Sequence, residues 1–245
     1  MDRIVSRAIA GAWMFAAIAL STGAARAAVV VPVLPDLDVQ SVADRVHSLG
    51  VAVRAHAFVT TGADGKNARI AEAVSSATGV LIGDGLVLTT LSAVAVRRSD
   101  GQLEPPGAIE VVTDQVGLVP ARFVAGDPAL DLAVLQLPDQ LRELEGATLP
   151  PSDPAVGEEM IAIGAEDNSL YVVGVTLERV EFAPGGGARL YMNRDLPPSF
   201  WGGPLFDAEG RLAGLSTRPT SDSGFAIPAS LLRTLIDRVH GATRI

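Results

Sequence analysis

Thr78-Gly79-Val80-Leu81-Ile82-Gly83-Asp84-Gly85-Leu86-Val87-Leu88-Thr89-Thr90 decides the fold class, because two apolar, β-branched-rich runs flank a Gly-Asp-Gly centre. Runs of this kind are strand material, and Gly-Asp-Gly supplies the left-handed backbone that a tight hairpin turn needs. The stretch therefore predicts a β-hairpin. Upstream, Val51–Val59 reads as a strand with weak period-2 contrast, and Thr60–Ala73, holding Gly62, Asp64 and Gly65, reads as an exposed loop. Downstream, further strands fit Ile109–Thr113, Val116–Val124 and Leu132–Leu137.

Pro138, Pro150, Pro151 and Pro154 then interrupt the pattern and predict a linker over 138–157. Beyond it, Met160–Gly164, Leu170–Phe182, Ala188–Asn193, Pro204–Asp207 and Arg211–Thr217 continue the strand series, with Asp207-Ala208-Glu209-Gly210 as a tight turn. Leu231, Leu232, Leu235, Ile236 and Val239 follow Pro228 at helical spacing, which predicts an amphipathic terminal helix. Near the start of the folded part, Asp38 is placed to cap a short helix carrying Val39, Val42, Val46 and Leu49. No βαβ alternation and no repeat of 20–50 residues is visible. Many short strands with a terminal helix indicate an all-β sandwich or a pair of barrels.

Composition narrows the function classes. The 245 residues are 48% hydrophobic and 19% charged, which is enough apolar material for a packed core and too much for global disorder. With no cysteine, disulfides, thiolate chemistry and Cys-ligated metal are excluded. The three histidines, His47, His56 and His240, are far apart in sequence, so no short metal-ligand motif exists and neither metal nor cofactor is expected. A formal charge of −9 argues against nucleic acid, whose phosphates call for clustered Lys and Arg.

The first 27 residues read as an export address. Arg3 and Arg7 make a positive start, Ala8–Leu20 is apolar, and Ala25-Arg26-Ala27 fits a signal-peptidase site. A 13-residue helix rises about 20 Å, short of the roughly 30 Å hydrocarbon core. Stable membrane insertion is therefore expected only if this segment stays uncleaved. Removing it takes away Asp2 and three arginines and leaves 218 residues carrying −11. Export across the inner membrane to a bacterial periplasm is the expected localisation.

Four segments, in order, carry a family resemblance. The hairpin Thr78–Thr90 resembles that of the first barrel of HtrA/Deg-type trypsin-like serine proteases. Gly126-Asp127-Pro128-Ala129-Leu130-Asp131-Leu132-Ala133-Val134-Leu135 is similar to their D-P-x-x-D-[IL]-A-[VL]-L segment. Ser199-Phe200-Trp201-Gly202-Gly203-Pro204-Leu205 is similar to their G-N-S-G-G-P-L nucleophile loop. Gly224-Phe225-Ala226-Ile227-Pro228 before a helix resembles the end of their protease domain. The resemblance spans about 51–240. It implies two six-stranded antiparallel β-barrels with a cleft between them: a lead-in over 28–50, the first barrel over about 51–137, the second over about 158–227, and a terminal helix over about 229–240. A PDZ domain, which many relatives carry, is not expected after this helix.

The resemblance also implies a broken triad. Serine-protease chemistry needs a hydroxyl nucleophile, an imidazole base and an orienting carboxylate. The histidine position holds Ser92, and the nucleophile position, just before Gly202-Gly203-Pro204, holds Trp201. Asp131 alone matches its position. A serine hydroxyl is no base near neutral pH, and indole offers one N–H and no nucleophile. No catalytic residue is expected. Ser199, where relatives need glycine, and the stiff Pro197-Pro198 put a relative-like oxyanion hole in doubt. A buried Asp131 still needs donors, and the Ser92 hydroxyl with nearby backbone amides is expected to supply them.

Phe200, Trp201, Gly202, Leu215, Ser216 and Thr217 are the candidate cleft or peptide-binding residues. Trp201, with Phe200 beside it, is expected to project aromatic surface into the cleft, either plugging it or serving as a platform for a ligand. Ala213–Thr217 matches the strand that pairs with substrate in relatives, and such pairing needs backbone groups alone. Gly185-Gly186-Gly187 reads as a hairpin tip and Asp64-Gly65-Lys66-Asn67 as a turn. The expectation is an exported pseudoprotease that binds a protein or peptide. The alternative is a serine endopeptidase with a rebuilt site. Oligomeric state is not legible.

Overall fold

The computed structural model describes residues 16–18, 28–31, 37–61, 69–97, 103–104, 107–167, 169–183, 187–218 and 224–243. The expected signal segment, apart from Ala16–Ile18, lies outside the described residues, as do the Asp64-Gly65-Lys66-Asn67 turn and Gly185-Gly186.

In chain order the elements are β1 (Ala16–Ile18), β2 (Ala28–Val31), α1 (Val39–Val46), β3 (Gly50–Thr61), β4 (Arg69–Leu81), β5 (Leu86–Thr90), α2 (Leu91–Val94), β6 (Val96–Arg97), β7 (Leu103–Glu104), β8 (Ala108–Thr113), β9 (Gly117–Asp127) and β10 (Leu132–Gln136). The second half holds β11 (Glu159–Glu166), β12 (Ser169–Phe182), β13 (Ala188–Met192), β14 (Pro204–Phe206), β15 (Leu212–Ser216), β16 (Ala226–Pro228) and α3 (Ala229–Thr243). Strands β10-β5-β4-β3-β8-β9 close into an antiparallel barrel. Strands β12-β11-β14-β15-β16-β13 form a second antiparallel ring, closed by the β12–β13 pairing. β2 runs parallel to β12, against Tyr171–Val173, and β1 pairs with β2. The expected two six-stranded barrels with a C-terminal helix are present.

The opening hairpin forms as its residues dictate. Val80 faces Leu88 and Leu81 faces Val87, while Ile82 N–H donates to Leu86 O at 2.9 Å. Gly83, Asp84 and Gly85 all have positive φ (89°, 53° and 66°), a run that two glycines and an aspartate tolerate and β-branched residues do not. One expectation is corrected here. Thr60–Ala73 is not one loop, because β3 reaches Thr61 and β4 starts at Arg69, with the ladder continuing from Ala57↔Ala73 to Thr61↔Arg69. The polar, alanine-rich composition has weak strand preference; pairing with a neighbour that is already extended decides it.

Three buried clusters explain why the strands read as continuous apolar runs. Val51, Val53, Val87, Val111 and Leu135 fill the first barrel. Met160, Ala162, Val175, Leu205 and Ala213 fill the second. Between the barrels lie Leu88, Leu132, Val134, Ile161, Ile163 and Leu215, together with Val42 of α1 and Leu232, Leu235 and Ile236 of α3. Successive residues of β10 and β11 thus alternate between a barrel interior and the shared seam, and both faces are apolar. Asp38 caps α1 by accepting from Ser41 N at 3.1 Å. Asp153, from the proline-rich connection, accepts from Ser230 N (2.9 Å) and Ser230 Oγ (2.6 Å) in the first turn of α3. The connection between the barrels is thereby tied to the terminal helix.

Candidate functional site

Asp131 ends the turn between β9 and β10. Asp127 opens that turn, its Oδ1 accepting from Ala129 N (3.0 Å) and Leu130 N (3.2 Å). The turn delivers Asp131 with φ at +54°, a left-handed conformation that aspartate adopts more readily than most side-chain-bearing residues. Its carboxylate faces α2: Ser92 N–H donates to Oδ1 at 2.7 Å and Ser92 Oγ to Oδ2 at 2.8 Å. Asp131 O also accepts from Leu91 N at 3.0 Å. The expected Ser92–Asp131 pairing is therefore present, and both carboxylate oxygens are occupied by one residue.

Trp201 sits at the end of a 3₁₀ turn, Pro198–Phe200, between the barrels. Phe200 N–H donates to Pro197 O (2.9 Å) and Trp201 N–H to Pro198 O (3.1 Å). The backbone N–H at the nucleophile position is thus spent inside its own turn and is not held free for an oxyanion. Thr78, fully buried on β4, fixes the loop from the other barrel. Its Oγ1 donates to Ser199 O (2.6 Å) and accepts from Ala165 N (2.7 Å), and its N–H donates to Trp201 O (2.9 Å). Nothing in the sequence pattern singled out Thr78; a β-branched residue in a strand draws no notice.

Gly202 and Gly203 answer to close approach. Gly202 has φ +80°, and a Cβ there would lie 2.3 Å from Thr78 O; a Cβ on Gly203 would lie 2.1 Å from Ile163 O. Gly202 N–H donates to Ser216 O (2.8 Å) and Ser216 N–H to Gly203 O (2.9 Å), so the loop closes onto β15.

The other candidate residues are not brought into a common cleft. Phe200 is buried in the second barrel, its ring so close over Gly164 that a Cβ there would meet ring atoms at 2.6–2.8 Å. The expectation of an aromatic pair in the cleft is corrected: Phe200 turns inward and Trp201 is the half-buried one, with the Arg218 guanidinium 5.6 Å from its ring centroid. Leu215 is wholly buried in the seam between the barrels. Ser216 and Thr217 are also buried; Ser216 Oγ donates to Phe200 O, and Thr217 N–H donates to Phe225 O at 3.0 Å. β15 pairs with β14 over Leu212–Leu215 and with β16 over Gly214–Ser216, so Gly214 and Leu215 have strand partners on both sides.

Each histidine faces a carboxylate other than Asp131. His56 Nε2 lies 3.2 Å from Glu110 Oε2, His47 Nε2 lies 3.2 Å from Asp114 Oδ2, and His240 Nε2 lies 3.7 Å from Asp84 Oδ2. Among the described residues no group of three His, Asp or Glu is placed to hold a metal.

Comparison with known proteins agrees with this architecture. Residues 77–215 match the family described as Trypsin-like peptidase domain. A probable periplasmic serine endoprotease, DegP-like, from Pseudomonas fulva is 28% identical over 203 residues, which is 75% of this chain and 38% of that protein. A protein of the same description from Brucella suis is 29% identical over 174 residues, 65% of this chain and 32% of that protein. The chain thus spans well under half the length of these relatives. Among solved structures, the HtrA-type protease AlgW with a decapeptide superposes with a TM-score of 0.68 at 22% identity, covering 82% of this chain and 67% of that one. Rv3671c protease from M. tuberculosis, active form, gives 0.67 at 17% identity, covering 90% and 92%.

Proposed function

Because this chain belongs to the family of trypsin-like peptidase domains, and its Asp131 holds a serine where the family's chemistry needs an imidazole, we propose that it is an exported pseudoprotease that binds a protein or peptide in the bacterial envelope without cutting it. The Ser92–Asp131 pair carries the reading. In a triad the carboxylate fixes an imidazole, and the imidazole takes the proton of the nucleophile. Here the carboxylate ends on a hydroxyl that has no basic nitrogen, and the residue at the nucleophile position carries an indole. Loss of base and nucleophile together removes about 10⁶-fold of kcat in enzymes of this kind.

Two further observations support the same reading. Trp201 N–H is bonded to Pro198 O, which takes one oxyanion donor out of use. His47 and His56 lie 3.2 Å from carboxylates other than Asp131, and the carboxylate near His240, Asp84 at 3.7 Å, is also not Asp131. The export part of the reading is supported by the signal-like residues 1–27 and by relatives named as periplasmic.

The test has two arms. Unfolded casein incubated with the protein should stay intact, and a partner recovered from an envelope extract should be recovered less well by Trp201→Ala. Casein fragments that disappear in Ser92→Ala or Ser199→Ala would support the rival, a peptidase with a rebuilt site. Unchanged recovery by Trp201→Ala would move the binding surface away from the cleft.

A further inference from the structure

Asp131 precedes β10 and Gln136 ends it, about 17 Å apart along the extended strand. At the Gln136 end a groove of about 470 Å³ opens on the first barrel, a volume typical of ligand sites. One wall is Pro120, Ala121 and Arg122 of β9; the other is Leu137, Pro138 and Arg142, where the chain leaves β10. The second wall is fixed in place. Leu137 N–H donates to Gly85 O at 2.8 Å, and a Cβ on Gly85 would lie 3.3 Å from both Leu141 O and Arg142 Cα, so the hairpin turn packs on the 3₁₀ turn Asp139–Leu141. Gln136 Nε2 donates to Asp84 O and Gly85 O, both at 3.1 Å. With its amide N–H groups engaged there, the side-chain carbonyl of Gln136 is the acceptor left to the groove. The charges are uneven. Arg142 is held through Nε, at 3.0 Å from Asp139 Oδ1, which leaves its terminal nitrogens available. Arg122 is exposed and makes no hydrogen bond or ion pair among the described residues. Among the described lining residues, two guanidinium groups thus face one carboxylate, which is already engaged, in a chain of formal charge −9.

We propose that this groove docks an extended acidic segment of a protein partner. Its carboxylates accept from Arg122 and Arg142, its apolar side chains pack on Pro120, Leu137 and Pro138, and a backbone N–H donates to the Gln136 carbonyl. The site is separate from the Trp201 cleft and does not depend on whether the Asp131 region is catalytic. A purely apolar segment would strip water from two guanidinium groups and return nothing to them. A small inorganic anion would pair with the arginines and leave the apolar walls and the Gln136 carbonyl unused. An acidic peptide meets all three features at once, and walls that are already set lower the ordering cost of binding it.

The probe is a fluorescein-labelled octapeptide of alternating valine and glutamate, acetylated and amidated at its ends, titrated against the full chain beside its valine–glutamine counterpart. Extended backbone puts the valines on one face and the glutamates on the other, as apolar walls under a cationic rim require. The acidic peptide should bind at least about tenfold more tightly than the neutral one, and less tightly as salt rises. Arg122→Gln and Arg142→Gln should each weaken it about three- to fivefold, and together about tenfold or more. Arg238→Gln, an exposed arginine on α3, should leave it unchanged. The side-chain amide resonance of Gln136 should shift on binding. Equal affinity for the two peptides would overturn the acidic assignment. Equal weakening by Arg238→Gln would reduce the effect to diffuse charge and overturn the groove. Binding lost in Trp201→Ala and kept in Arg122→Gln would place the peptide in the cleft, which overturns the groove and supports the proposed function. No binding of either peptide, with the fold intact by circular dichroism, would overturn the groove and leave the cleft reading to its own test.

Discussion

Ser92 closes both oxygens of Asp131, with its amide on Oδ1 at 2.7 Å and its hydroxyl on Oδ2 at 2.8 Å. One residue therefore supplies from α2 the donors that keep a carboxylate satisfied at the mouth between the barrels. Ser92→Ala removes the hydroxyl and keeps the amide. Because Ser92 is exposed, water recovers part of the loss, and destabilisation of about 1 kcal/mol is expected by urea unfolding. A loss well above 3 kcal/mol would mean that the hydroxyl does more than serve Asp131.

Thr78 is expected to matter more than its strand position suggests. Thr78→Val keeps the shape and removes one hydroxyl that serves Ser199 O and Ala165 N across the barrel seam. The buried Ala165 N–H would be left unpaired at about 1–3 kcal/mol, and the part-buried Ser199 O would lose its donor at a smaller cost. Chemical denaturation should show the loss, and faster amide exchange at Ala165 should accompany it. Unchanged exchange at Ala165 would contradict the assigned bond.

Phe200 and Trp201 are adjacent in sequence and should respond differently. Phe200→Ala opens a cavity over Gly164 in the second barrel and is expected to cost about 3–5 kcal/mol. Trp201→Ala removes a half-buried ring that carries Arg218, and should cost well under half as much in thermal unfolding. The reverse order would place Trp201 in the core and Phe200 in the cleft.

Gly202→Ala tests the loop backbone. Its Cβ would sit 2.3 Å from Thr78 O at φ +80°, so about 1–2 kcal/mol of conformational cost comes on top of a backbone clash. With a total of about 3 kcal/mol or more, Tm should fall by roughly 6–12 °C for a chain of this size. A shift under about 2 °C would show that the loop relaxes freely.

How much of this the residues announce depends on where their constraints are local. The Gly83-Asp84-Gly85 turn, the Asp38 cap and the heptad-like apolar spacing of α3 are local chemistry, and each reads directly. Asp131 and Ser92 lie 39 positions apart, and their pairing was reached through the family pattern rather than through any spacing rule. The inward turn of Phe200 was not legible, because it depends on the bare backbone of Gly164 two strands away. Thr78 is passed over for the same reason: a threonine in a strand looks ordinary until the fold buries its polar atoms. The outer ends of β3 and β4 are not legible in Thr60–Ala73, because long-range pairing outweighs weak local preference there.

The proposed binding role without cleavage requires that no serine of this chain act as an activated nucleophile. Labelling of the purified protein with a fluorophosphonate probe, which reacts with activated serines, tests it most directly. The expected result is no label above the level of a heat-denatured control from pH 6 to 9, with Ser92→Ala and Ser199→Ala indistinguishable from the unmodified protein. Stoichiometric labelling that either substitution abolishes would contradict the account and identify the serine that replaced the lost triad.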